Sequence, residues 1–319
     1  MNFKKDLPLT SSHWGTYRAK VKDGKVKELI GWENDKDPSP IGQGIVDVHN
    51  HQTRIDSPMI RKSWMDKGPG SNNSLRGTDP FISISWDEAE KIVSNELNRV
   101  KNDFGNASIF GGSYGWASAG RFHHAQSQLH RFLNCIGGYT RSKFTYSFAA
   151  AEAMVPHILG SYRAFLDTCT SWDSIEENTK LFICFGGVPL KNGQIAQGGT
   201  GSHKQKEKLI RSANAGIKFI NFSPLKSDLL DEVNGEWLAL RPNTDVAIML
   251  GLAHTLYKEK LYDDKFIEKY TEGFDTFLPY LLGDIDGIVK DANWASSISE
   301  IPSEKIISLA KEMSSKRTM

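Results

Sequence analysis

The chain has 319 residues with 39 basic and 38 acidic side chains, a net charge of +1, and three cysteines. This balance of charge gives no reason to expect nucleic acid or an anionic membrane as a partner. No apolar run approaches the length of a membrane span, so no transmembrane segment is expected. The first residues contain neither an apolar signal core nor a twin arginine, which predicts a cytoplasmic protein. A lost export signal or a misassigned start would instead make a periplasmic location possible.

Residues 1–65 predict a β-rich N-terminal segment. Runs at 14–21 and 26–32 have strand character, and Asp23-Gly24 between them is typical of a hairpin turn. Further along, residues 44–51 predict an apolar strand that ends in an Asp-x-His-x-His pattern. Two histidines spaced i, i+2 on a strand point the same way, so His49 and His51 are able to share one metal ion. This pattern supports an alternative function, a metal-dependent amidohydrolase.

Residues 66–150 predict an α/β segment. A loop over 66–80 precedes a helix that begins after Ser85, with Glu88 at the capping-box position, and continues to about Val100. A short apolar run at 109–110 then enters a glycine-rich loop, which opens into an amphipathic helix. Backbone N–H groups at such a helix N-terminus suit an anion or a phosphate-bearing cofactor. Tyr114 and Trp116 lie inside this loop and can direct an O–H and an N–H at a bound oxygen atom.

Residues 151–319 predict an α/β nucleotide-binding domain. Strands at 181–185, 217–222 and 236–240 alternate with helices at 203–213 and 245–259, which favours a mostly parallel sheet. Ligands bind beyond the carboxyl ends of such strands. Four loops sit at strand ends and together predict one nucleotide site: 112–120, 188–192, 223–224 and 241–245.

The end of the chain and its cysteines add two expectations. A helix over 302–316 leads to residues 317–319 where another strand should begin, so the chain is expected to be the N-terminal part of a longer protein. The three cysteines lie far apart, without a Cys-x-x-Cys pair, which excludes a sequence-evident zinc or iron–sulfur site. They are therefore expected to be small buried hydrophobic residues, at positions Cys135, Cys169 and Cys184.

The glycine-rich loop closely resembles the corresponding loop of the dimethyl sulfoxide reductase family of molybdopterin oxidoreductases. Further matching motifs follow in the order of that family: His13-Trp14-Gly15, residues 58–62, residues 85–89, Tyr146-Ser147 and residues 241–247. The similarity extends over essentially the whole chain. The S-oxide and N-oxide reductases are the most similar branch, which agrees with the lack of a four-cysteine cluster motif. The resemblance implies a partial molybdopterin oxidoreductase fold: a small β-rich segment followed by mostly parallel α/β sheet layers.

The resemblance also implies a cofactor, molybdenum bis(molybdopterin guanine dinucleotide), and no iron–sulfur cluster in this chain. Ser147 occupies the position of the metal ligand, and a hard alkoxide oxygen suits high-valent molybdenum. Where the family usually has Gly-Asp-Tyr-Ser-Thr-Gly, residues 144–149 read Phe-Thr-Tyr-Ser-Phe-Ala. The cofactor contacts implied by position are Ser113, Tyr114, Gly115, Trp116, Ala117, Ser118, Lys191, Asn192, Phe222, Ser223, Pro242, Asn243, Thr244 and Asp245. Asp245 has a second possible role as the N-cap of its own helix.

The implied reaction is reduction of an S-oxide or N-oxide by oxygen-atom transfer to Mo(IV). The substrate would be of the dimethyl sulfoxide, biotin or methionine sulfoxide, or trimethylamine N-oxide type. Tyr114, Trp116 and Ser147 are the expected catalytic residues, and the first two would hydrogen-bond the transferring oxygen. A separate electron donor, a cytochrome or a soluble reductase, is expected as a partner. Beside the hydrolase, a non-catalytic nucleotide-binding fragment stays open as an alternative.

Overall fold

The computed structural model describes residues 6–49, 51–112, 124–196 and 199–319. The chain divides into two compact units. The first unit contains the residues up to Trp32, the described part of Pro40–Asp167, and Ala196, Gly199 and Thr200. The second unit contains Glu33–Ser39, Thr168–Ile195 and Gly201–Met319. Most of the predicted β-rich and central segments lie in the first unit, whereas Glu33–Ser39 lies in the second, and the bounds of the predicted domains stay a prediction.

In the first unit, an antiparallel sheet of order β1-β2-β3 is followed by short strand pairs and helices. Asp23 and Gly24 both have positive φ, 52° and 71°, at the turn between β2 and β3, which confirms the predicted hairpin. The elements of this unit are β1 (Leu9–Ser12), β2 (Gly15–Lys22), β3 (Lys25–Gly31), α1 (Ile41–Val48), β4 (Met59–Arg61), α2 (Lys62–Lys67), β5 (Phe81–Ser83), α3 (Trp86–Phe104), β6 (Phe110–Gly111), α4 (Ala125–Cys135), β7 (Thr140–Arg141), α5 (Ala149–Leu159) and α6 (Tyr162–Asp167).

The capping signal at Ser85 begins α3 as predicted. The Ser85 side chain accepts a hydrogen bond from the Glu88 backbone N–H at 3.2 Å, and two acidic residues in the first turn complement the helix dipole. The helix continues one turn beyond the predicted end because Gly105, with φ of 78°, supplies the termination. A local capping interaction is therefore enough to fix where this helix starts.

The second unit is a layered α/β structure. Its sheet has the order β10-β9-β8 with parallel pairing throughout, and Thr318 forms a parallel bridge to Leu181 on the outer edge of β8. The predicted parallel sheet is confirmed, as is the extended segment after the last helix. The elements are α7 (Trp172–Asn178), β8 (Leu181–Phe185), α8 (Gln205–Asn214), β9 (Lys218–Phe222), β10 (Glu236–Leu238), α9 (Asp245–Lys258), α10 (Asp264–Tyr270), α11 (Phe274–Leu282), α12 (Ala292–Ser299) and α13 (Ser303–Ser315).

Alternating side chains of β9 fill two cores on opposite faces of this sheet. Ile220 and Phe222, both fully buried, pack with residues of α9, α12 and α13. Phe219 faces the other side and packs with residues of α7 and α8, including Leu209. Burial on both faces is typical of a parallel sheet covered by helices. This arrangement leaves the carboxyl edge of the sheet for loops.

Two expectations from the sequence are wrong. Residues 41–48 form helix α1 and not a strand, because Pro40 occupies the N-cap position and its φ of −70° is already helical. Cys135 and Cys169 are exposed, since Cys135 is the last residue of α4 and Cys169 follows α6 in a loop. Cys184 is buried on β8 as expected, and burial raises the pKa of its thiol to about 12. Among the described residues, we find no helix with the length and apolar character needed to cross a membrane.

Candidate cofactor site

In the first unit, the glycine-rich loop and the segment that contains Ser147 each follow one of two paired parallel strands, so both begin at the same edge of a small sheet. β6 pairs with β7 in parallel, with Gly111 opposite Arg141. A side chain at Gly111 would overlap Leu133 and Tyr139, so only glycine lets α4 pack this closely on β6. Because the carboxyl ends of parallel strands meet at the same edge, Gly112 and the residues after Arg141 come together.

A cavity of about 170 Å³ lies at this edge. Its lining residues come from the loop start, from α4 and from the segment after β7: Gly112, Gln126, His130, Arg141, Ser142, Phe144, Thr145 and Tyr146. The His130 ring stacks on Tyr139, with ring centroids 5.4 Å apart, which holds it against the strand pair. Arg141 lines the cavity and is exposed, so its guanidinium brings a positive charge to the site. The cavity therefore suits a ligand with anionic groups.

The segment before Ser147 has an unusual backbone. Phe144 has φ of 65°, in the left-handed region that bulky residues rarely adopt. The next residue, Thr145, donates its backbone N–H to Glu152 of α5 at 2.6 Å. Ser147 itself is exposed and lies just before Phe148, the N-cap residue of α5. The serine is thus neither buried nor at the N-cap position.

The fit of these residues to a metal-bearing cofactor rests on two observations. Ser147, an exposed residue with a hard oxygen donor, directly follows Tyr146 of the cavity lining. The Thr145 hydroxyl is buried, lines the cavity, and has no hydrogen-bond partner within the described part of the chain. A cofactor bound in the cavity would supply the partner that this buried hydroxyl lacks. The residues therefore fit the predicted group.

In the second unit, the loops after β8 and β9 meet at Asp228. The Ser223 hydroxyl donates to the Asp228 carboxylate at 2.6 Å, and Lys191 Nζ lies 3.4 Å from the other carboxylate oxygen. The Asp228 carbonyl accepts the backbone N–H of Val188 at 2.8 Å. A side chain at Gly187 would overlap Asp228, which explains the glycine there. Asp228 was not among the residues predicted from the sequence, although its position five residues after the strand-end Ser223 could have indicated a contact between the two.

The predicted contacts of this unit differ in accessibility. Lys191 and Asn192 are exposed in a 3-10 turn over Leu190–Gly193. Ser223 is fully buried and its hydroxyl is used by Asp228, so its predicted contact with the ribose-phosphate region stays a prediction. Phe222 is also fully buried and stacks on Phe185, with centroids 5.0 Å apart. The Phe222 side chain thus packs the core, and the predicted cofactor contact of this residue stays a prediction.

The loop before α9 presents its residues at the surface. Pro242 and Asn243 are exposed, and Asn243 has φ of 69°, a conformation that asparagine tolerates. Thr244 is the N-cap residue, and its hydroxyl donates to the Arg241 carbonyl at 2.6 Å. Asp245 is the first helical residue and not the N-cap, so its half-buried carboxylate is not used in side-chain capping.

The other predicted site residues separate into two groups. Ser113, Tyr114, Gly115, Trp116, Ala117 and Ser118 lie outside the described residues. The predicted row of four loops is not built on one sheet, because β6 belongs to its own two-stranded sheet. The three loops of the second unit do follow β8, β9 and β10, which pair as neighbours. Gln126, His130 and Arg141 are further site residues that the sequence analysis missed; the i, i+4 spacing of the first two on α4 was the available signal.

His49 and His51 do not form a metal site. His49 Nδ1 lies 3.3 Å from Arg54, and His51 Nδ1 lies 2.8 Å from the Thr53 hydroxyl. Within the described ranges, no three His, Cys, Asp or Glu side chains converge to hold a metal ion. The amidohydrolase alternative depended on a strand at 44–51, and the helix there removes its basis.

Comparison with known protein families decides the classification. Residues 54–315 match the model of the molybdopterin oxidoreductase family, and residues 10–48 match the molybdopterin oxidoreductase N-terminal domain. The chain belongs to the molybdopterin oxidoreductase family. The resemblance drawn from the sequence is thereby confirmed, and membership implies a molybdenum–pterin cofactor.

Several curated relatives in this family are similar along nearly the whole chain. The chain is 39% identical to a dimethyl sulfoxide/trimethylamine N-oxide reductase of Rhodobacter capsulatus over 98% of its length. It is 40% identical to a biotin sulfoxide reductase of Cereibacter sphaeroides over 90%, and 37% identical to a trimethylamine-N-oxide reductase of Haemophilus influenzae over 98%. In each case it spans 38% of the relative's length.

A solved structure supports the fold of this molybdopterin oxidoreductase chain. Acetylene hydratase from Pelobacter acetylenicus superposes with a TM-score of 0.58 at 20% identity. The match covers 95% of this chain and 38% of that one. At this identity the similarity concerns the fold alone.

Proposed function

We propose that this chain provides the N-terminal part of a molybdenum-dependent reductase of S-oxides or N-oxides, with bis(molybdopterin guanine dinucleotide) as the cofactor. The observation that carries the proposal is the 37–40% identity to reductases of this kind over at least 90% of the chain. The exposure of Ser147 and its place next to Tyr146 of the cavity lining also support the proposal. When bound, the cofactor supplies the two-electron chemistry that removes an oxygen atom from the substrate.

The chain's own residues would divide the remaining work. Ser147 would hold the metal through its oxygen. Arg141 and His130, at the cavity below it, would bind the anionic part of the cofactor. Tyr114 and Trp116 would hydrogen-bond the substrate oxygen and so stabilise the charge that builds up there. A separate donor, a cytochrome or a soluble reductase, would return the electrons.

The loops of the second unit would bind one guanine dinucleotide. Lys191 and Asn192 are accessible in their turn and would contact phosphate or pterin. The exposed loop at 242–244 and Asp245 would surround the guanine, because a carboxylate accepts from the N–H groups of that base. Helix α9 directs its N-terminus to this loop, which favours a ligand with negative charge.

The test is Ser147→Ala in the longer protein of which this chain is proposed to be the N-terminal part, purified from molybdate-fed cells. Molybdenum and released guanine are measured per chain, together with S-oxide and N-oxide reduction. We expect about one molybdenum and two guanines in the wild type, and a loss of activity with at least about tenfold weaker metal retention in the variant. Ser94→Ala, an exposed serine of α3, is the matched control and should behave as the wild type. Unchanged metal content and activity in Ser147→Ala would contradict the ligand assignment.

A further inference from the structure

A buried histidine–aspartate pair in the second unit ties two segments together. The side chains of His203 and Asp35 are 2% and 1% exposed, and His203 Nδ1 lies 2.7 Å from Asp35 Oδ2. The His203 backbone N–H also donates to Asp35 Oδ1 at 3.0 Å. We call Glu33–Ser39 the strap. These bonds fasten the strap to the residues immediately before α8.

The second ring nitrogen of His203 reaches a different segment. Its Nε2 donates to the Gln194 carbonyl at 2.9 Å. Both ring nitrogens therefore face acceptors, an arrangement that the doubly protonated ring satisfies. Burial by itself disfavours the charge, but the hydrogen bonds to Gln194 and Asp35 outweigh it, so the pKa of His203 is raised. The ionised groups that act on the ring are Asp35 and Asp37, both of the strap.

Further hydrogen bonds hold the Leu190–Gly193 turn, which ends next to Gln194, and the residues on each side of it. The Ser39 hydroxyl of the strap donates to the Gln194 side chain at 3.0 Å. The Gln205 amide donates to the Val188 and Pro189 carbonyls at 3.1 and 3.2 Å. The Gln205 side chain also packs against Gly193, because a Cβ at that position would overlap the Gln205 amide and displace it. On one side of the turn, Gln194 is bonded by His203 and by Ser39 of the strap. On the other side, Val188 and Pro189 are bonded by Gln205, two residues after His203.

We propose that the Asp35–His203 pair positions the Leu190–Gly193 turn for the phosphate-bearing part of a guanine nucleotide. His203 and Asp35 are then positioning residues that act through the turn, and Lys191 and Asn192 are the residues that touch the ligand. The inference rests on the proposed function, because that function assigns the two turn residues to the cofactor.

The test uses the full chain, the variant His203→Gln, and GDP as the probe. Glutamine keeps an N–H donor but carries no positive charge and reaches only one of the two acceptors. Amide hydrogen exchange is followed in peptides covering 186–195, and the GDP dissociation constant is measured by calorimetry at pH 6 and pH 9. His254→Gln is the matched control, a second buried histidine of the same unit on α9.

We expect exchange in the turn to accelerate and GDP affinity to fall about tenfold in His203→Gln, as removal of an orienting partner does elsewhere. Because the terminal phosphate of GDP itself titrates at about pH 6, the two proteins are compared at each pH. The affinity advantage of the wild type over His203→Gln should be smaller at pH 9 than at pH 6, since His203 loses its proton as the pH rises. His254→Gln should leave turn exchange unchanged.

Unchanged exchange in His203→Gln would overturn the inference, and so would faster exchange with unchanged GDP affinity. A wild-type chain that binds no GDP at either pH would contradict the proposed nucleotide site itself. In that case the hydrogen-exchange data alone decide whether the Asp35–His203 pair holds the turn. A failure of the positioning role and a failure of the proposed nucleotide site can therefore be told apart.

Discussion

Phe144 keeps a left-handed backbone that costs a non-glycine residue about 1–2 kcal/mol. We therefore predict that Phe144→Gly is more stable than Phe144→Ala by about 1 kcal/mol, after the entropic cost of glycine is subtracted. Both variants lose the ring and its contact with Lys143, so the difference isolates the backbone. Urea unfolding midpoints measure it.

The matched control for this prediction is Phe132, an exposed phenylalanine inside helix α4. A residue inside a right-handed helix carries no left-handed strain, so the order should reverse. Phe132→Gly should be less stable than Phe132→Ala by about 0.5–1 kcal/mol. Equal stability of Phe144→Gly and Phe144→Ala would show that the backbone at 144 is not strained.

At the scale of single residues, the motifs select candidates but do not predict how buried each side chain is. Ser147 and Lys191 are exposed, and their roles stay predictions. Phe222 was chosen by its place at the end of a strand, yet its side chain points into the core, because the pleat decides which side of the sheet it faces. Asp228 was missed because its contacts are made by the fold. It binds Ser223 within an irregular turn, and it also binds Lys191 and Val188, which are remote in sequence.

Helix α9 packs closely against α12 and α13 through Gly251. A Cβ at this position would lie 2.8 Å from Ala295 Cβ and 3.3 Å from Ile306 Cγ2. We predict that Gly251→Ala destabilises the chain by about 1–3 kcal/mol, because overpacking outweighs the gain in helix propensity. Differential scanning calorimetry of the two proteins measures the change.

Gly44 of α1 is the control at the scale of a helix, since a Cβ there would meet nothing within 4 Å. Gly44→Ala should stabilise the chain by up to about 1 kcal/mol through helix propensity alone. The same substitution thus has opposite signs at the two positions. A stabilising Gly251→Ala would mean that the three helices are not packed as closely as described.

The elements that the sequence predicts well carry their own signals. α3 has its cap at Ser85, and β8 is a continuous apolar run, so each is specified locally. α1 was predicted as a strand because a short apolar run has no period that distinguishes helix from strand. Likewise, no local pattern shows that β6 and β8 belong to different sheets; that depends on which strands pair.

At the scale of the whole molecule, two buried histidines make stability depend on pH in opposite directions. The pKa of His203 is raised, so its stabilising contribution is complete below about 6.5, the pKa of unfolded histidine, and is lost as the pH rises through the folded value. Burial lowers the pKa of His254, so its neutral form is favoured by folding. The resulting stability is present above about pH 6.5 and is lost as the pH falls through the folded value.

The two effects predict a maximum of thermal stability close to and slightly above pH 6.5, with separate causes for its acidic and alkaline sides. His254 Nε2 is buried and has no partner among the described residues, so His254→Leu should raise stability by about 1 kcal/mol near neutrality. It should also flatten the melting temperature between pH 5 and 6.5 while leaving the decline above pH 7 intact. Melting curves from pH 5 to 9 test this; an acidic side as steep as that of the wild type would assign the acid sensitivity to other groups.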